Sequence, residues 1–182
     1  MIALHGENWL YQKQNKGNEQ QGSGKYMRLE TERLRLRIAL RDEMTGMIAR
    51  AADLDLKCAY QEMLQGCLDH PEYWEWYAVW IIEGKDGMQR GDLSFKGPAK
   101  DGAVEIGYGI LAEHRGNGYA TEAVEAAVAW ALAQPGVTQV EAETAPDNDA
   151  SQRVLKKCGF QATGEIGEEG PRFVRQKAGT LV

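Results

Sequence analysis

The spacing of hydrophobic positions changes period several times along the chain, and each change marks an element. Leu34, Leu36 and Ile38 alternate with Arg33, Arg35 and Arg37, the pattern of a strand with one wet face. Residues 42–68 carry Met44, Met47, Ile48, Ala51, Ala52, Met63 and Leu64 at helical spacings, which predicts one or two helices. Tyr73, Trp74, Trp76, Tyr77 and Trp80 form an aromatic cluster that runs into a strand, AVWII. Lys85-Asp86-Gly87 is a hairpin turn signal, and GDLSFKG returns as its second strand. After a further turn at Lys100-Asp101-Gly102 comes a strand with two unlike faces. Val104, Ile106, Tyr108 and Ile110 share one face, and Glu105, Gly107 and Gly109 share the other. A strand face made of glycine lets another backbone or a ligand come close.

Downstream, Ala120, Ala123, Val124, Ala127, Val128, Ala131 and Leu132 make one helical stripe, ended by Pro135-Gly136. VTQVEAETA reads as a strand, Ala150–Lys157 as a short helix stopped by Gly159, and Phe173-Val174 as a segment that closes the sheet. Hairpins early and a crossover late make this an α+β pattern with a mixed sheet. Residues 11–25 are Gln, Asn, Gly and Lys with almost nothing to bury, so 1–26 reads as an N-terminal extension or tail and 27–182 as one domain.

Composition narrows the class. The 182 residues, 43% hydrophobic and 26% charged, suit one globular domain, and the longest apolar run falls well short of the roughly 18 residues of a membrane helix. Lys+Arg 21 against Asp+Glu 27 gives a net charge of −6. Residues 1–26 hold Lys13, Lys16 and Lys25 against Glu7 and Glu19, a local +1, so the remainder carries −7. Such a field disfavours nucleic acid and weakly favours a cationic or amine-bearing substrate. Cys58, Cys67 and Cys158 are too few and too scattered for a disulfide framework or a metal knuckle, and read as buried free thiols. With no secretory signal pattern, a cytoplasmic location is expected by default.

The segment with chemical content is Arg115-Gly116-Asn117-Gly118-Tyr119-Ala120, between a strand and the long helix. Glycines there let backbone N–H groups converge, and the helix start adds partial positive charge, together a cradle for phosphate or pyrophosphate. An ordinary glycine-rich strand-to-helix turn has the same spelling. The loop lacks the third glycine of a dinucleotide fingerprint, since Thr121 stands there, and the Gly-Lys-Ser/Thr of a Walker loop.

The run EIGYGILAEHRGNGYATEAVEAA, Glu105–Ala127, resembles the cofactor motif of the GNAT superfamily of acyl-CoA N-acyltransferases, with Arg115, Gly118 and Ala120 at its defining positions. ETERLRLR at 30–37 is similar to the opening strand of the family's Rim-type branch, which acetylates protein N-termini and other amines. Asn148-x-x-Ser151-x-x-Val154-Leu155-x-x-x-Gly159-Phe160 is similar to its closing helix, and the three blocks stand in family order over about 27–175. The resemblance implies a GNAT fold, a mixed and mostly antiparallel sheet flanked by helices, whose fourth and fifth strands splay into a slot for pantetheine. It implies acetyl-CoA as co-substrate and a primary amine as acceptor. Backbone at Ile110 and Leu111 would pair with pantetheine, and Asn148 would reach it from the other side. The N–H groups of Gly116, Asn117, Gly118, Tyr119, Ala120 and Thr121, beside Arg115, would take the pyrophosphate.

An amine must be neutral to attack a thioester. Glu105, on the glycine face, is the candidate base, acting through water; it reads equally as a solvent-facing carboxylate or one paired with an arginine. Many family members place a Tyr proton donor where this chain has Leu155. That leaves Ser151 to orient water or hydrogen-bond the sulfur, with Tyr108 and Tyr119 as spare phenols, and a backbone N–H near Ile110 to hold the oxyanion. Ser151 also reads as a helix cap or surface hydroxyl. Trp74, Trp76, Tyr77 and Trp80 read as core and as the floor of the acceptor slot. His70 and His114 are lone imidazoles, Glu165, Glu168 and Glu169 a solvated loop, and no metal is called for. A non-catalytic acyl-CoA sensor on the same fold is the rival reading, with a phosphate-loop nucleotide binder behind it. The acceptor's identity and the oligomeric state are open, the N-terminal extension being long enough to reach a second subunit of a homodimer.

Overall fold

The computed structural model of the chain describes residues 27–179, so the extension expected at 1–26 lies outside the described residues. One sheet contains β1 (Arg28–Glu30), β2 (Leu34–Ile38), β3 (Trp80–Gly84), β4 (Gln89–Phe95), β5 (Ala103–Ile110), β6 (Gln139–Glu143), β7 (Gln161–Ile166) and β8 (Pro171–Gln176). Their order is β1-β2-β3-β4-β5-β6-β8-β7. Every neighbouring pair is antiparallel except β5 and β6, which are parallel. The helices are α1 (Arg41–Arg50), α2 (Leu54–Asp69), α3 (Trp74–Tyr77), α4 (Tyr119–Ala133) and α5 (Asp149–Lys157).

Local chemistry sets most boundaries. Glu43 accepts the Leu40 N–H at 2.8 Å to open α1, and Asp53 accepts the Leu56 N–H at 2.8 Å to open α2. Pro71 ends α2, because the residue before a proline is pushed out of helical geometry, and His70 sits at φ −133°, ψ 66°. Asp101 and Gly102 both take positive φ, 52° and 85°, which makes the tight turn between β4 and β5 of the primed hairpin type.

The alanine stripe of α4 lies on the sheet, with Ala123, Ala127 and Ala131 fully buried beside Val124 and Val128. Beneath it Trp76, Trp80, Phe95 and Trp130 pack as one aromatic group, with centroids 4.7 Å apart for Trp76–Trp130 and 4.9 Å for Trp80–Trp130. Trp74 and Tyr77 pack against this core half-buried. Cys67 and Cys158 are buried as expected, whereas Cys58 on the outer side of α2 is exposed. Two short elements were not anticipated: β1, and β7, whose six residues are all exposed. As a result the 173–174 segment does not close the sheet; it belongs to β8, which lies between β6 and the edge strand β7.

The fourth and fifth strands of the expected fold are β5 and β6 here, and they do part. Pairing covers only Ala103–Glu105 against Gln139–Glu141, leaving Ile106–Ile110 without a strand on that side. On its other side β5 stays zipped to β4 through Ile110. Gly91 permits this approach, since a Cβ there would lie 2.0 Å from Gly109 O. No helix among the described residues is long and apolar enough to cross a membrane.

Phe95 is the hub of the aromatic group, touching Trp76, Trp80 and Trp130. Phe95→Ala is expected to cost about 3–5 kcal/mol of stability, read as a lower denaturant midpoint at unchanged slope.

Candidate active site

The parted strands leave a row of main-chain groups without a strand partner among the described residues. The Leu111 N–H donates to Arg90 O at 2.9 Å and the Lys96 N–H to Glu105 O at 3.0 Å, so the odd-numbered residues of β5 point their hydrogen-bonding groups at β4. By alternation Ile106, Tyr108 and Ile110 point theirs into the gap. The Ile110 carbonyl is taken by Arg115 Nε at 3.0 Å. Leu111 is thus turned to β4, and the edge open to an extended ligand is that of Tyr108 and Ile110.

At the mouth of the gap, Gly116 and Gly118 both sit at φ 79°, the left-handed region that glycine adopts without strain. Gly118 is the N-cap of α4, and the first closed turn is Glu122 N–H to Gly118 O at 3.2 Å. The N–H groups of Tyr119, Ala120 and Thr121 are therefore the unpaired donors of a helix start, aimed away from the helix body. Asn117 shapes the loop, its Nδ2 donating to the carbonyls of His114 and Arg115, both at 3.1 Å.

A cavity of about 440 Å³ joins these parts. Ile110, Arg115, Gly116, Gly118, Tyr119, Ala120 and Thr121 line one side, and Asn148 and Ser151 the other. Arg153 and Lys157 of α5 line it too, so with Arg115 the wall is cationic although the chain is acidic. Asn148 caps α5, its Oδ1 accepting the Ser151 N–H at 3.0 Å. Ser151 is not a cap: its Oγ lies 2.9 Å from the Tyr108 hydroxyl, and this phenol lines the cavity. Burial pushes the Tyr108 phenol above its ordinary value, the bond to Ser151 opposing only in part, so its proton stays on at neutral pH. Leu155 is fully buried in the core, outside the cavity wall.

Glu105 lies at the closed end of the gap, opposite Glu141 of β6. Its carboxylate pairs with Lys96 at 2.5 Å and lies 4.0 Å from Arg172, so it is ion-paired rather than free in solvent, with a lysine rather than an arginine as its near partner. His114 Nε2 is 3.3 Å from Arg90 Nη1, and His70 stacks on Tyr77. Glu165 is in β7 rather than a loop, and Glu169 pairs with Lys96 at 3.3 Å. Among the described residues no group of three His, Cys, Asp or Glu is arranged to hold a metal ion.

One feature of the loop lay beyond sequence reasoning. Arg33 donates to Asn117 O at 2.9 Å through Nη1 and to Glu122 Oε2 at 2.7 Å through Nε. Thr31 Oγ1 donates to Glu122 Oε1 at 2.5 Å. The β1–β2 turn is thereby tied to the loop and the start of α4. Burial alone would raise the Glu122 carboxyl; the bonds from Thr31 and Arg33 outweigh it and hold the group below the usual range.

A cavity with an open strand edge at one end and an amide cradle with a cationic wall at the other suits a long ligand with phosphates at one end. Residues 32–161 match the model of the acetyltransferase (GNAT) domain, which is most of the chain. The chain belongs to the GNAT family. It is 39% identical over 83 residues to the uncharacterized N-acetyltransferase YjdG of Bacillus subtilis, covering 44% of this chain and 49% of that protein. The chain thus spans about half the length of the curated relatives it matches. Among solved structures, the ribosomal-protein-S5-alanine acetyltransferase of Vibrio fischeri superposes with a TM-score of 0.65 at 15% identity, covering 86% of this chain and all (100%) of that one. The spermidine N-acetyltransferase of Vibrio cholerae, in complex with CoA and spermine, gives 0.62 at 14%, covering 81% and 97%. At these identities the likeness is one of fold.

The Arg33 tie yields a prediction. Arg33→Ala is expected to loosen the loop at 116–118 and to weaken binding of a phosphate-bearing probe, CoA, by about tenfold, near 1.4 kcal/mol, read by calorimetry. Acid should loosen the same tie. The Glu122 pKa is lowered on folding, so its stabilisation is full above the unfolded value of about 4.3 and fades as pH falls through the lower folded value.

Proposed function

We propose that this GNAT protein transfers an acetyl group from acetyl-CoA to a primary amine, by direct attack in a ternary complex. The observation that carries this reading is the gap between β5 and β6, opening onto the glycine loop at the start of α4. The backbone of Tyr108 and Ile110 would extend the sheet through pantetheine, and the amides of 116–121 with Arg115 would hold the pyrophosphate. Asn148 Oδ1 is committed to its cap, so Asn148 would act through Nδ2. Bound acetyl-CoA supplies the acetyl thioester, and the remaining work falls to the chain's own residues. The ETERLRLR block, similar to the opening strand of the Rim-type branch, supports a protein N-terminus or another primary amine as the acceptor.

Proton traffic divides between two faces of β5. On the glycine face Glu105 takes the proton from the attacking nitrogen through water, its own oxygens being held by Lys96 and Arg172. On the α5 face Tyr108 gives its proton to the departing sulfur, and Ser151 fixes the phenol's position. This assigns to a strand residue the part that Leu155 is unable to play.

Free-thiol release from acetyl-CoA across a panel of amines and N-terminal peptides tests the reading. Glu105→Gln is expected to lower turnover well below wild type with little change in acetyl-CoA affinity, and unchanged single-turnover rates would remove Glu105 from the proton path. Tyr108→Phe is expected to slow release by about 10²–10⁴-fold, the usual worth of a general acid. Acetyl-CoA binding without thiol release from any acceptor would favour the sensor.

A further inference from the structure

The face of the sheet away from α4 holds a carboxylate that the mechanism above leaves unused. Along β4 the buried Gly91, Leu93 and Phe95 alternate with Asp92 and Ser94. Asp92 and Ser94 stand directly across from Gly109 and Gly107 of β5. Space over these two glycines is open: a Cβ on Gly109 meets nothing within 4 Å, and one on Gly107 meets only Ser94 Oγ at 3.9 Å. The result is a bare floor beside Asp92, next to Tyr108 and Ile110, where the strands have parted.

Asp92 differs from its neighbours in partnership. On the same face Glu83 pairs with Arg37, and Glu105 with Lys96. Asp92 is half-buried, and the hydroxyl of Tyr60 on α2 lies on its side of the sheet. Among the described residues no Lys, Arg or His forms an ion pair with it. Burial accordingly raises its carboxyl, and the Tyr60 hydroxyl offsets this only in part. A half-buried carboxylate without a cation costs stability, and a cationic ligand over the glycine floor would relieve that cost.

We propose that Asp92 docks the acceptor as its ammonium over Gly107 and Gly109, with Tyr60 fixing the carboxylate from the α2 side. The acceptor then approaches from one face of β5 while the phosphates are held on the other, and the two substrates meet at the parted strands. This assignment rests on the acetyl-transfer reading above and adds to it the residue that selects protonated amines.

The test compares a cationic acceptor, 1,4-diaminobutane, with hydroxylamine, which is neutral at pH 8. Asp92→Asn is expected to raise the diamine KM by at least about tenfold, the worth of one charge-assisted hydrogen bond, and to leave the hydroxylamine KM and the acetyl-CoA KM nearly unchanged. Tyr60→Phe should shift the diamine KM the same way by less. Thermal stability of Asp92→Asn at pH 8 should equal or exceed wild type, since an uncompensated charge is removed. Equal losses on both acceptors, no loss on either, or a destabilised Asp92→Asn protein would overturn the proposal. Should wild type release no thiol with any amine, the transferase reading fails, and calorimetric binding of 1,4-diaminobutane decides for Asp92. Weaker heats in Asp92→Asn support docking, and equal heats in both proteins overturn it.

Discussion

Buried main-chain polar groups must find partners, and β5 meets that rule on one side only. Its odd-numbered residues are zipped to β4 through Leu111, while beyond Glu105 the even-numbered ones face a gap. The structure around the gap follows from keeping it open. β6 diverges toward the cap of α5, α4 starts on a left-handed glycine, and the β1–β2 turn grips that start through Arg33 and Thr31. A single extended ligand carrying amides could restore the lost ladder.

Charge is distributed with the same economy. The molecule is acidic overall, yet Arg115, Arg153 and Lys157 gather on the cavity wall. Elsewhere several carboxylates are tied off, while Asp92 has no such partner among the described residues: Glu143 is almost wholly buried against Arg172 at 2.6 Å, and Glu43 of α1 and Glu83 of β3 share Arg37.

Features with a local cause could be read from the sequence. Asp101-Gly102 and Asp86-Gly87 name their turns, because Asp101, Gly102 and Gly87 take positive φ that few other residues accept. The stripe of α4 and the two faces of β5 follow from periodicity, and the loop at 116–118 follows from glycine itself. Features made by distant contacts left no such trace. The Arg33–Glu122 tie spans 89 residues, and nothing in ETERLRLR says which of its arginines turns inward. β7 is exposed throughout, so it has no apolar alternation to detect. Glu105 drew notice for its face, but its pairing with Lys96 and Arg172 depends on a hairpin and on β8. Tyr108 and Ser151 were both visible as hydroxyls; that they touch depends on how α5 settles over β5.

The aromatic group under α4 has an optical consequence. Trp130, in the helix that begins at the glycine loop, lies within 5 Å, centroid to centroid, of two other indoles, and Trp130 Nε1 is buried without an acceptor. Indoles that close share excitation, so their near-ultraviolet circular dichroism reports the geometry of the group rather than of any one ring. Because near-ultraviolet signals vanish when packing loosens while helical signals persist, this protein carries its own gauge of a rigid interior. That gauge sits at the far end of the helix that starts at the glycine loop.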